Sequence, residues 1–157
     1  MLHGPFQCGF HGAQVSRGFQ ATTEIGEEKA SAILDAAIRK AAIAEGKYFA
    51  EKAGTTSMAD FIKLYEHWTA DGALEMKVLK ADDTSFDFDI TRCRYAETYK
   101  EMGLGKIGHL LSCNRDGTFC EGYDPNITLE RKQTIMEGAP CCTFRYRYKG
   151  TGGQGAG

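Results

Sequence analysis

ALEMKVLKADDTSFDFDI, residues 73–90, carries a period of two. Leu74, Met76 and Val78 fall on one face, Ala81 to Thr84 supply the turn, and Phe86, Phe88 and Ile90 alternate with Asp87 and Asp89. Successive strand side chains point to opposite faces, so this pattern predicts a β-hairpin with one buried face. Upstream the period is helical. Thr22 and Thr23 offer N-caps before an acidic first turn (Glu24, Glu27, Glu28), and Ile33, Leu34, Ala37, Ile38, Ala41, Ala44 and Tyr48 recur at helical spacing up to a stop at Gly54. The many alanines point to a close helix contact. It is a candidate subunit contact for a homodimer, and equally a contact within the chain. Ser57 and Asp60 resemble a capping box that opens a second amphipathic helix, with Phe61, Ile62, Leu64, Tyr65 and Trp68, ending near Asp71-Gly72.

Downstream of the hairpin, residues 93–102 and 104 to about 116 read as two short helices separated by Gly103, with Gly117, Gly122 and Pro125 breaking up the next stretch of chain. Ile127, Leu129 and Ile135 mark a third strand, and Cys142, Phe144, Tyr146 and Tyr148 a fourth. The expected fold is α+β, with N-terminal helices packed on a four-stranded antiparallel sheet, in the order α-α-β-β-α-α-β-β. Residues 1–21 are expected to form an irregular segment, 22–149 a single α+β domain and 150–157 a flexible Gly-rich tail.

The 157 residues, 42% hydrophobic and 25% charged, suit one core. A net charge of -2 argues against a nucleic-acid partner. No apolar run approaches the ~20 residues that cross a bilayer, and the first residues lack a signal-peptide pattern, so a cytoplasmic protein is expected. The six cysteines, at 8, 93, 113, 120, 141 and 142, contain no Cys-x-x-Cys pair and do not space like zinc knuckles. His3, Cys8 and His11 make only a poor metal signal, and neither metal nor cofactor is expected.

Thiols and guanidiniums stand where a plain core would hold aliphatic side chains. Extending the strand alternation turns Arg92 inward with Phe86, Phe88 and Ile90, and Arg131 inward with Ile127, Leu129 and Ile135. Two inward guanidinium forks suit a carboxylate, held by parallel hydrogen bonds. The alternative is that each pairs with an acidic side chain, or that Arg92 lies past the strand end. Arg145 and Arg147 belong to the outer face. Cys142 shares the Phe144 and Tyr146 face and Cys141 does not. Cys93 opens a helix, where backbone N–H groups favour a thiolate, with Glu97 one turn on. His109, Cys113 and Asp116 align an imidazole, a thiol and a carboxylate, and Cys120 extends the line if the helix survives Gly117. That stripe lies opposite Leu104, Ile107 and Leu111, so its alternative is a solvated face. For Cys93 and Cys113 the alternative is a small core thiol.

TRCRYAETY (91–99), LLSCNRD (110–116), EGYDPNI (121–127) and RKQTIMEGAPCCTFRY (131–146) together resemble the L-2-amino-thiazoline-4-carboxylic acid hydrolase family, over roughly Ser57 to Tyr148. The resemblance implies an enzyme that opens a cyclic isothiourea to N-carbamoyl-L-cysteine, a step in making cysteine. The last segment, through Gly138, Cys142 and Phe144, is also similar to four-vinyl-reductase type sensory domains. There a glutamate and a cysteine would complete a zinc site, and Arg131 and Thr134 stand in those positions here. The resemblance therefore implies a metal-free, arginine-lined site for an organic anion. On this reading Cys113, Cys142 and Cys93 are the candidate nucleophiles, Asp116 and Glu97 the acid-base pair, and Arg92, Arg131, Asn114 and Thr134 bind the carboxylate-bearing substrate. A non-catalytic, sensory-type binding domain is the alternative.

Overall fold

The computed structural model describes residues 25–149. The expected caps at Thr22 and Thr23, the metal-binding signal of His3, Cys8 and His11, the N-terminal segment 1–21 and the tail 150–157 lie outside the described residues. Helix α1 runs Glu27–Ala53, with Glu27 and Glu28 in its first turn and Gly54 closing it in the left-handed region at φ 73°. Helix α2, Met58–Thr69, is capped by Ser57, whose Oγ accepts from the Asp60 N–H and donates to the Asp60 carboxylate at 2.7 Å. The hairpin follows as β1 (Leu74–Ala81) and β2 (Ser85–Cys93). Next come α3 (Arg94–Glu101), a π-helical turn His109–Cys113, α4 (Asn114–Tyr123), β3 (Ile127–Glu130), a 3-10 turn Ile135–Glu137 and β4 (Cys142–Tyr148).

The strands form one antiparallel sheet in the order β1-β2-β4-β3, so β4 inserts between β2 and β3. Its inner face is aromatic. Phe88 lies opposite Phe144 with rings stacked at 4.8 Å, and Phe86 lies opposite Tyr146. Helix α2 lays Phe61 and Tyr65 across these rings, Phe61 meeting Tyr146 at 4.8 Å and Tyr65 meeting Phe88 at 4.9 Å. Phe119, Cys120 and Tyr123 of α4 complete the same buried cluster. On the outer face Arg145 bonds Asp89 at 2.9 Å and Arg147 pairs with Asp87, as the alternation requires.

Three expectations need correction. The stretch after Asp116 is not broken by its glycines: α4 continues through Gly117 and Gly122 to Tyr123. Gly122 is there for space, since a Cβ on it would run into the Ile43 carbonyl of α1, and one on Gly46 would meet the Phe119 carbonyl. The alanine- and glycine-rich face of α1 thus makes its close contact within the chain, backbone to backbone against α4. Along β1 a register shift beyond Val78 leaves Val78 and Leu79 both about half exposed, so Val78 leaves the buried face. Finally, β3 stops at Glu130, and Ile135 belongs to the 3-10 turn rather than to that strand.

Candidate functional site

A cavity of about 600 Å³ opens between the inner face of the sheet and the helices. Helix α1 faces it with Leu34, Ala37, Ile38, Ala41 and Glu45, a stripe at spacings of three and four, and α2 contributes Tyr65, His67 and Trp68. Ala37, Ala41 and His67 are exposed as well as lining, so the opening lies between α1 and α2. Opposite stand Cys93, Cys113, Asp116, Arg131 and Cys142, brought together from the end of β2, the start of α4, the end of β3 and the start of β4.

Arg131 is the centre of this charged end. Its side chain is 15% exposed, and its guanidinium pairs with Asp116, donates to the Cys113 carbonyl at 2.9 Å and lies 5.1 Å from the centre of the Phe144 ring. Burial lifts the Asp116 carboxyl from 3.8 to about 6, with Arg131 pulling it back down. The carboxyl therefore loses its proton only near pH 6 and is mostly ionised at neutral pH, where it can act as a base. Burial raises all three thiols. Cys113 reaches about 12, helped by the Asp116 charge and opposed by Arg131. Cys142 is raised although its sulfur accepts the Ile135 N–H at 3.2 Å. Cys93 is raised too, because burial outweighs the Ala96 and Tyr95 N–H groups at the start of α3. The helix N-terminus acts on Cys93 in the expected sense, and desolvation overrides it.

The π-helical turn decides which residues of the expected stripe meet. The Asn114 N–H reaches back to the His109 carbonyl, five residues earlier, and the wider turn rotates His109 away from Cys113 and Asp116. His109 lines a separate shallow depression with Lys100, Lys106 and Met136, while Cys113 and Asp116 face the main cavity, so their stripe is not a solvated face. Cys120 stays on the continued helix but is buried in the core, its thiol donating to the Asp116 carbonyl at 3.6 Å.

Arg92 does not turn inward. The register of β2 against β1 shifts between Ile90 and Arg92, which puts Arg92 on the surface, 52% exposed, bound to Glu97 at 2.8 Å and near Glu75 at 3.6 Å. Glu97 is held there, and its carboxyl is lowered by the Arg92 hydrogen bond. Neither borders the cavity. Asn114 donates to Asp35 of α1 at 2.6 Å, and Thr134 bonds Glu137 at 2.7 Å as the cap of the 3-10 turn. Both hold backbone elements in place and lie off the cavity wall.

Two polar features escaped the sequence. Arg115 pairs with Glu45 across the α1–α4 contact, and both border the cavity. Arg115 sits inside the LLSCNRD segment, and Glu45 continues the Leu34, Ile38, Ala41 stripe, so the signal was present. Tyr65 and Tyr146 lie in edge contact with ring centres 6.0 Å apart, and burial pushes both phenols well above 10, which keeps them protonated. Among the described residues no three His, Cys, Asp or Glu side chains are grouped to hold a metal ion. No helix among them is long and apolar enough to cross a membrane.

The chain is similar in structure to the phenol-responsive sensory domain of the transcription activator PoxR, solved with phenol, with a TM-score of 0.56 at 10% identity over 87% of this chain and 73% of that one. At that identity the likeness is one of fold. The family model for L-2-amino-thiazoline-4-carboxylic acid hydrolase matches residues 11–146, and the chain belongs to this family. No curated protein matches it in sequence.

Proposed function

We propose that the protein is a hydrolase that opens a carboxylate-bearing cyclic amidine or isothiourea, with L-2-amino-thiazoline-4-carboxylate as the parent substrate and N-carbamoyl-L-cysteine as its product. The observation that carries this reading is the Asp116–Arg131 pair beside Cys113 in a cavity lined mainly by apolar side chains. Arg131 receives the substrate carboxylate, which competes with Asp116 for the guanidinium fork. Asp116, with a carboxyl near 6, is then free to take a proton close to neutral pH. Its proton comes from the Cys113 thiol one turn away on the same helix, and the sulfur attacks the ring carbon between nitrogen and sulfur. The ring C–S bond breaks and the departing sulfur takes the proton from Asp116. Water then attacks the same carbon, Asp116 taking one of its protons and passing it to the departing Cys113 sulfur, so that the thiol is restored and the net change is addition of one water. A thiol at about 12 needs such a base, because it is not a standing thiolate at neutral pH.

Serine replacements at Cys93, Cys113 and Cys142 test the covalent route, with product followed by mass spectrometry. Loss confined to Cys113→Ser is expected. Full activity in all three single variants would remove the covalent route and leave water as the nucleophile, with Asp116 as its base. A second reading, ligand binding without turnover, is favoured by the apolar lining and by the fold shared with a sensory domain that responds to phenol. Saturable binding without product supports it.

A further inference from the structure

The cavity is far larger than the parent substrate. Its 600 Å³ corresponds to the liquid volume of about 20 waters, whereas a ring compound of about nine non-hydrogen atoms displaces roughly six. The volume lies well within the range of sites that enclose larger organic ligands. The surplus has a definite chemistry. The Asp116–Arg131 end comes from α4 and the strand ends. The rest of the wall is largely apolar, with Leu34, Ile38, Phe49, Leu64, Trp68 and Phe119 beside the polar His67 and the Arg115–Glu45 pair, and Trp68 and Phe119 are in edge contact at 5.2 Å. Water left in such a space makes few hydrogen bonds, and a small polar ring anchored on Arg131 leaves the aromatic part unfilled.

We propose that the ligand of this cavity is a carboxylate-bearing ring with a bulky aromatic substituent, its charged edge on Arg131 and its aryl group among Trp68, Phe119 and the α1 stripe. This rests on the reading of Arg131 as the carboxylate anchor. The exposed Ala37 and Ala41 at the opening give the substituent a path inward, since a larger side chain at either position would narrow it.

The test is calorimetric binding to the full chain of two probes that lack the reactive amidine, thiazolidine-4-carboxylate and its 5-phenyl derivative. The phenyl probe is expected to bind about 30-fold tighter, from the ring area it withdraws from water. Ala41→Trp is expected to cancel that advantage while leaving the small probe within about twofold, and Leu34→Trp to do the same should Ala41→Trp fail to fold by circular dichroism. Equal or weaker binding of the phenyl probe would overturn the aromatic substituent while leaving the carboxylate anchor standing. A phenyl advantage that survives both tryptophan variants would place the aryl group elsewhere and also overturn it. Absence of binding by either probe would remove the carboxylate anchor itself, and this inference with it.

Discussion

Asp116→Asn tests the site through both stability and turnover. In the native protein the carboxyl is lifted from 3.8 to about 6. The folded value lies above the unfolded one, so the stabilisation from the neutral carboxyl is complete below about pH 4 and is lost as pH rises through about 6. A rise of that size corresponds to about 3 kcal/mol, and nearer 2 once screening of the 30% of the side chain that solvent reaches is allowed for. Asparagine does not titrate. Urea unfolding at about pH 4 and about pH 7 should therefore show the variant gaining about 2 kcal/mol on the native protein between the two. A constant offset is superimposed, of about 1 kcal/mol against the variant, because an amide replaces the carboxyl that accepts from Arg131 while Arg131 keeps the Cys113 carbonyl. In the same pair of proteins, native kcat/KM should rise with pH through about 6, and the variant should lose ~100-fold or more in kcat. Equal pH slopes of stability would refute the burial argument, and activity within about threefold would refute the base.

Arg131→Gln should weaken binding of the substrate carboxylate by ~30-fold or more, because it removes a buried guanidinium from the cavity. Arg92→Ala should leave KM within about twofold, since Arg92 lies on the surface with Glu97, and steady-state kinetics on the two variants separates their roles. Gly122→Ala should destabilise the fold by about 2 to 4 kcal/mol in denaturant unfolding, because the new Cβ has only the Ile43 backbone to displace. Gly54→Ala meets no neighbour, and its cost should be about 1 kcal/mol, set by the left-handed cap conformation.

The amino-acid sequence by itself determined the element order and the aromatic inner face of the sheet. Period-two runs such as Phe86–Phe88–Ile90 and Phe144–Tyr146 encode their facing locally, and Ser57 and Gly54 encode their caps in the residue itself. It also pointed to Cys113, Asp116, Arg131 and Cys142 as residues of one site, because thiols and charges interrupt apolar patterns there. Tertiary structure alone decided which charges share the cavity. A register shift in β2 sends Arg92 outward, a π-helical turn parts His109 from Cys113, and strand order carries Arg131 to Asp116. The Gly122–Gly46 approach needs two helices 70 to 80 positions apart to meet, and Arg115 finds Glu45 only through that approach. Local periodicity sets which way a side chain faces within its element; a bulge or an added helical residue resets that phase, and only the packed chain reveals where.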